Sequence, residues 1–83
     1  MLDEAIREKI SKLEEIILQE QPDARFKLEP SEQESIWDFC IYTPEGNLQM
    51  PPEIMQQLDG VWREHKITVL AIVYPLSLYE EDE

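Results

Sequence analysis

The period at which apolar residues recur changes three times along the chain, and this order limits the folds open to it. Residues 2–20 carry apolar side chains three and four residues apart, the spacing of an amphipathic helix. Residues 24–28 and 36–42 alternate along the chain, as half-buried strands do. Residues 52–65 return to helical spacing, and residues 67–74 form an apolar run of strand length. The predicted order is helix, strand, strand, helix, strand.

Prolines and a glycine mark where these segments end. Pro22 ends the first helix, because the residue before a proline avoids helical backbone angles. Pro30 ends the first strand, and the polar stretch after it has hairpin length, which predicts antiparallel pairing of the two strands. Pro44 and Gly46 predict a turn before the second helix. Pro75 lacks a ladder donor and is expected to end the last strand.

This order predicts an α+β fold. We expect a small two-layer domain, α-β-β-α-β, with a three-stranded mixed sheet and two helices on one face. A right-handed crossover through the second helix would place the third strand parallel to the strand it adjoins. Because residues 67–74 are apolar on both faces, they are expected to form a central, covered strand. Residues 1–75 are predicted to form the single domain, and residues 76–83 an acidic, mobile tail.

Two residues of the second helix carry packing predictions. Trp62 lies at helical spacing with the apolar positions and is interpreted as a core residue rather than a stacking platform. Gly60 costs about 1 kcal/mol relative to alanine inside a helix, so close packing against a neighbour is the expected reason for it.

The charge of the chain limits its partners. Seven basic and nineteen acidic residues give a net charge of −12. Such a charge disfavours direct binding to nucleic acid and to anionic lipid, because phosphate binding depends on Lys and Arg. No apolar run approaches the roughly 18 residues that a membrane span needs. A single cysteine cannot form an internal disulfide, which favours a reducing, cytoplasmic setting.

Asp38 lies in the middle of an otherwise apolar strand. If Trp37 faces the helices, then Asp38 and Cys40 lie on the open face of the sheet, together with Arg25 and Lys27 of the neighbouring strand. A cross-strand ion pair would explain Asp38 without any chemistry. A metal site would need further carboxylates converging on the same ion. We therefore interpret Asp38 as structural and predict no metal or cofactor.

A catalytic cysteine is also disfavoured. A reactive thiolate needs a basic or electropositive neighbourhood, and no spacing brings the lone histidine, His65, to Cys40. Cys40 is expected to be a half-buried structural residue, and His65 a residue at the end of the second helix. The sequence therefore predicts no catalytic residue and, more broadly, no enzyme.

The C-terminal segment resembles a short docking motif. Apolar and aromatic residues come directly before a run of acids, an arrangement able to add a strand to a sheet or to enter a basic groove. The predicted interaction residues are Leu78, Tyr79, Glu80, Glu81, Asp82 and Glu83.

The layout also resembles that of small prokaryotic α+β proteins without an assigned activity. The shared features are "PDARF" at residues 22–26, leading into the first strand, and "VYP" at residues 73–75. The resemblance implies a fold and brings no activity, cofactor or site with it.

The leading prediction is a non-catalytic, acidic protein-interaction or regulatory module. Its predicted partner is another protein, and a partner with a basic surface would complement the acidic charge of the chain. A small enzyme or ligand-binding domain that uses the open sheet face is the alternative. An antitoxin-like or nucleic-acid-mimic inhibitor of a basic partner is a further one. A homodimer through an edge strand or through the first helix is also predicted, because a domain this short buries little area and leaves strand edges exposed.

Overall fold

The computed structural model describes residues 3–79. It contains two helices and three strands in the predicted order: α1 (Glu4–Glu20), β1 (Arg25–Pro30), β2 (Ile36–Thr43), α2 (Pro52–His65) and β3 (Thr68–Pro75), followed by a 3₁₀ turn (Leu76–Leu78). The sheet is mixed, and both helices pack on one of its faces. The predicted α+β fold class is confirmed.

The strand order in the sheet is β1-β2-β3. β1 and β2 form the predicted antiparallel hairpin, and β3 lies parallel to β2, as expected for a connection through a helix. The prediction that residues 67–74 form the central strand is wrong, because β2 occupies the centre and β3 lies at an edge. One face of β3 packs on the core, and its apolar residues on the other face lie on the uncovered side of the sheet.

Helix α1 packs its apolar stripe against the sheet. Asp3 caps its N-terminus by accepting a hydrogen bond from the amide of Ala5 at 3.4 Å. The stripe consists of four buried residues: Ile6, Ile10, Leu13 and Ile17. The amphipathic helix predicted for this segment is therefore confirmed, and it starts at Glu4. Leu2, which the sequence pattern assigned to it, lies outside the described residues.

Helix α2 begins at Pro52, where a missing amide donor costs no helical hydrogen bond. The buried side of this helix consists of Ile54, Leu58 and Val61. An ion pair of 3.0 Å between Lys9 Nζ and Glu64 Oε2 joins α2 to α1. Hydrogen bonding to Lys9 lowers the pKa of the Glu64 carboxyl.

Gly60 is not explained by close packing. A Cβ added there would meet only Lys9 Nζ, at 4.0 Å, which is ordinary contact. Gly46 is more constrained, since its φ is +74° and an added Cβ would lie 3.0 Å from Pro75 Cγ. This glycine lets the turn after β2 lie against the end of β3.

The core lies between the helices and one face of the sheet. Phe39 and Ile41 of β2 are fully buried there, and the Phe39 ring stacks on Phe26 of β1 at 5.8 Å between centroids. Val69, Ala71 and Val73 of β3 share this core face, because they pair with Trp37, Phe39 and Ile41 of β2. Neither α1 nor α2 covers the opposite face, hereafter the open face, where Tyr79 packs on Tyr42.

Candidate functional site

Among residues 3–79, no strand pairs with the outer edge of β3, hereafter the β3 edge, which exposes backbone groups that the sheet does not use. The amide of Thr68 donates to the carbonyl of Ser35, just before β2, at 2.8 Å. Backbone groups alternate in direction along a strand, so the N–H and C=O groups of Val69, Ala71 and Val73 point to the β3 edge. Pro75 is next in this series, and its missing N–H therefore costs no bond to β2.

The β3 edge also lacks the charges that usually guard an edge strand. No Asp, Glu, Lys or Arg occurs between Ile67 and Tyr79. Leu70, on the open face, leaves 46% of its surface exposed. Natural edge strands usually carry charges, bulges or a cover that prevents pairing with another chain. β3 thus presents an edge on which another strand is able to add.

An apolar groove lies between the β3 edge and α2, hereafter the α2–β3 groove. Its volume is about 460 Å³. Its apolar lining includes Met50, Met55, Leu58, Trp62, Val69 and Ala71. Ala71 is the smallest of these side chains, which leaves space over β3. Of the described residues that line it, Asp59 alone is charged, and its carboxylate pairs with Arg63 of the same helix at 2.9 Å.

Trp62 lies in this groove rather than in the core. Its side chain is 49% exposed, so the prediction of a core residue is wrong. Ile54, Leu58 and Val61 fill the buried stripe of α2, and Trp62 falls beside that stripe, over the groove. Lys66 Nζ lies 4.6 Å from the centroid of the indole ring, a cation–π distance.

The four candidate residues of the open face are placed by the strand register. Lys27 of β1 lies opposite Cys40 of β2, Arg25 lies opposite Tyr42, and Asp38 shares their face. Asp38, however, lies opposite Glu29 rather than a basic residue, and among residues 3–79 it has no ion-pair partner. The prediction of a cross-strand ion pair is wrong, because the hairpin register places Lys27 opposite Cys40, two residues along the strand from Asp38.

The basic residues of that face are engaged elsewhere. The Arg25 guanidinium donates to the carbonyls of Asp23 and Ala24, at 3.2 and 3.0 Å. Lys27 Nζ lies 5.4 Å from the centroid of the Tyr79 ring. These four candidate residues therefore share a face without converging on a common point.

Cys40 is buried in the described structure. Burial raises the pKa of its thiol, and the carboxylates of Glu29 and Asp38 raise it further. A protonated thiol is a poor nucleophile at neutral pH. His65 is near Glu64, with 3.7 Å between Nε2 and Oε2, at the far end of α2. Within residues 3–79, no group of three or more His, Cys, Asp and Glu side chains is arranged to hold a metal ion.

The described part of the C-terminal tail lies against the sheet. The 3₁₀ turn of Leu76–Leu78 brings the Tyr79 ring edge-on to Tyr42, with 5.2 Å between centroids. Tyr74 of β3 stacks on the other side of this cluster, 5.5 Å from Tyr42. Leu78 is 58% exposed. The predicted docking residues Glu80, Glu81, Asp82 and Glu83 lie outside the described residues.

The sequence contains one residue that indicates the edge position of β3, although the apolar composition of residues 67–74 indicates a central strand. An apolar run typically forms a central strand, yet a proline paired within a sheet is confined to an edge. Pro75 is in the ladder with Thr43, so it indicates that β3 has a free side. The α2–β3 groove had no comparable signal, because it depends on which side of α2 faces the strand.

Between residues 3 and 79, neither helix combines the length and the hydropathy that crossing a bilayer would require. Comparisons with protein-family models, with curated proteins and with solved structures found no match to the chain.

Proposed function

We propose that this chain is a non-catalytic protein-interaction module that binds a polypeptide by adding its strand to the β3 edge. The observation that carries the proposal is the combination of an uncharged strand, whose outer edge has no partner among residues 3–79, with an apolar groove of about 460 Å³ beside it. Strand addition takes affinity from main-chain hydrogen bonds and specificity from pockets for alternate side chains. Both elements are present here on one side of the domain.

The added strand would use the outward backbone groups of Val69, Ala71 and Val73. Alternate side chains of that strand would then lie towards the α2–β3 groove, where Met55 and Trp62 are half exposed. The intervening side chains would lie beside Leu70 on the open face. The bound segment should therefore be extended and apolar at every second position.

The charge of the module favours a basic partner. With a net charge of −12, the domain attracts Lys- and Arg-rich surfaces and repels acidic ones. Exposed charges are screened beyond about 8–10 Å at physiological ionic strength, so binding to a basic partner should weaken with salt. An inhibitor of a nucleic-acid-binding protein would fit this charge. The single cysteine, a buried free thiol, would fit a reducing, cytoplasmic setting.

The alternative of an enzyme or ligand-binding domain on the open face has less support. The α2–β3 groove, which is the best-formed depression described, is lined by none of Arg25, Lys27, Asp38 and Cys40. The raised pKa of the Cys40 thiol also disfavours nucleophilic chemistry.

A pair of labelled peptides tests the proposal. Both are about nine residues long, the length of an extended strand across this edge, and alternate Val with either Lys or Glu. Fluorescence anisotropy at low protein concentration should show binding of the Val-Lys peptide, weaker binding of the Val-Glu peptide, and loss of affinity with salt.

Substitution in the groove locates the site of binding. Ala71→Lys should weaken binding of the Val-Lys peptide more than about ten-fold, because it fills the groove and places a charge at the β3 edge. Gln33→Lys adds the same charge in the exposed hairpin loop and should leave binding unchanged. Equal binding by the two variants, or no binding by the unmodified chain, would overturn the proposal.

A further inference from the structure

We infer that the strand received by the β3 edge is the β3 of a second copy, paired antiparallel about a two-fold axis at Ala71. The inference rests on the proposed function for the use of this edge, and takes an acidic second copy rather than a basic partner as its occupant. An antiparallel pair exchanges hydrogen bonds between residues that point toward one another. Val69, Ala71 and Val73 point outward, so Ala71 meets Ala71 of the second copy, and Val69 meets its Val73.

The sequence of β3 is complementary to itself in this register. Residues 69–73 read "VLAIV", which is nearly the same in either direction. On the core face, Val69 faces Val73, and on the open face Leu70 faces Ile72, so each of these cross-strand pairs is apolar. A two-fold interface requires such self-complementarity, because every contact occurs twice. The smallest side chain, Ala71, lies on the axis.

The groove is completed by the same pairing. Both copies have α2 on the same face of the joined sheet, so the two α2–β3 grooves meet at the axis. Met55 and Trp62 of each copy, exposed by 57% and 49%, then become mutually covered. A standard interface takes about 800 Å² from each partner, roughly one seventh of the 5886 Å² surface of the chain. The β3 edge and the α2–β3 groove would form the apolar centre of such an interface.

The remaining edges of the joined sheet are protected. A six-stranded sheet formed in this way ends in β1 on both sides. β1 carries Lys27, Glu29 and Pro30, the residue types that prevent edge pairing. Self-association thus stops at two copies.

The salt dependence separates a second copy from a basic partner. Two chains of −12 repel one another, and added salt screens that repulsion. Dimerisation should therefore strengthen with salt, whereas binding to a basic partner should weaken.

Light scattering and sedimentation equilibrium test the inference from about 1 µM to about 1 mM, a range that reaches weak interfaces. The unmodified chain should form a dimer, and Ala71→Lys and Ala71→Glu should each weaken it more than about ten-fold by like-charge repulsion at the axis. Mixing the two variants should restore a dimer, because opposite charges then meet. Gln33→Lys and Gln33→Glu are the matched controls and should dimerise normally.

Disulfide formation checks the register with a smaller substitution. Paired Cα atoms about 5.5 Å apart are within disulfide range. Oxidised Ala71→Cys should therefore form a covalent dimer, while Gln33→Cys should not. Cys40 is buried, so the introduced thiol is the one available for cross-linking.

The outcomes distinguish the inference from the proposed function. A monomer at every concentration overturns the second copy, and if that monomer still binds the Val-Lys peptide, the proposed function stands alone. A dimer unaffected at Ala71 and not cross-linked there also overturns the inference, since its contact lies elsewhere. A chain that neither dimerises nor binds the peptide overturns both.

Discussion

β1 and β3 are the two edges of one small sheet, yet they differ in nearly every property that governs edge pairing. β1 is antiparallel to β2, six residues long, and carries Arg25, Lys27 and Glu29 on its open face. β3 is parallel to β2, eight residues long, and has no charge. Both strands lie at an edge of the sheet, but only β1 carries charges that oppose pairing with another strand.

The difference follows from how each strand reaches the sheet. β1 pairs with β2 through a short hairpin. Antiparallel strands are stable with one face on the core and the other in solvent, so β1 carries polar residues on one face. β3 reaches the sheet through α2, and parallel strands are normally covered on both faces, which favours apolar residues at every position. In this fold β3 has the composition of a covered strand, although among residues 3–79 no strand pairs with its outer edge and Leu70 on its open face is 46% exposed.

The largest effect is expected from the residue that supports both edges. Phe39 is fully buried in β2, opposite Leu28 of β1 and Ala71 of β3. Phe39→Ala should lower the free energy of unfolding by about 3–5 kcal/mol, because it leaves a cavity beneath the centre of the sheet. Urea unfolding followed by circular dichroism measures this. Leu70→Ala, at a half-exposed site, is the control, and an equal loss there would contradict a shared core beneath the edges.

Removing the charges of β1 should make it behave like β3. The double variant Lys27→Val, Glu29→Val should promote concentration-dependent association through β1, with a stability change within about 1 kcal/mol. Light scattering over time detects the association. Arg7→Val, Glu8→Val makes the same chemical change on exposed α1 positions. Similar association of both variants would show that hydrophobicity alone, not the strand edge, is responsible.

The reverse change should protect β3. Leu70→Lys adds a charge on the open face of β3 and should weaken self-association or peptide binding about ten-fold. Stability should change within about 0.5 kcal/mol, because the replaced side chain is half exposed. Leu18→Lys is the matched control, with the same substitution at a partly exposed position of α1, and should bind normally. Equal losses in both variants would assign the effect to net charge.

The smallest effect is expected on the pKa of the Cys40 thiol, which reports how far a charge of β1 acts across the sheet. The Glu29 carboxylate contributes to the raised pKa of the Cys40 thiol, so Glu29→Gln should lower that pKa towards its ordinary value. The Cβ chemical shift of Cys40, followed by NMR as pH is raised, should then change at a lower pH than in the unmodified chain. Glu32→Gln, in the exposed hairpin loop, should leave this titration unchanged. If both variants titrate alike, Glu29 does not act on the thiol.

The same pKa shifts predict the direction of alkaline destabilisation. The pKa values of Cys40 and Tyr42 are both raised, mainly by burial, so the folded chain holds these protons more tightly than the unfolded chain. As pH rises through their ordinary range, the unfolded chain ionises first, and the free energy of unfolding should fall. Unfolding curves at neutral and alkaline pH measure this. A stability that increases with pH in that range would be inconsistent with their burial.

Local patterns predicted the elements well. The helical stripe of α1, the alternation of β1 and β2 and the positions of Pro30 and Pro52 each depend on neighbours a few residues apart. The hairpin followed from a short polar connector. The open-face candidates were assigned to one face by alternation alone, and the strand register agrees.

The predictions that proved wrong all depended on contacts between distant segments. Asp38 faces Glu29 because the pairing register, not the composition of the strands, selects its neighbour. Trp62 is exposed because the buried stripe of α2 is filled by residues nearer its centre. β3 is an edge strand because β1 and β3 pair with opposite sides of β2, and among residues 3–79 no other strand pairs with β3.

By itself, the sequence determined the number, type and order of the elements, since the period of apolar residues and the placement of proline are local properties of the chain. Only the tertiary structure decided that β2 is central, that β3 has a free edge, and that α2 leaves a groove beside it. Apolar residues indicate that a strand will be buried, but they do not specify the surface that covers it. In β3 the core covers one face, and we propose that a second chain covers the edge.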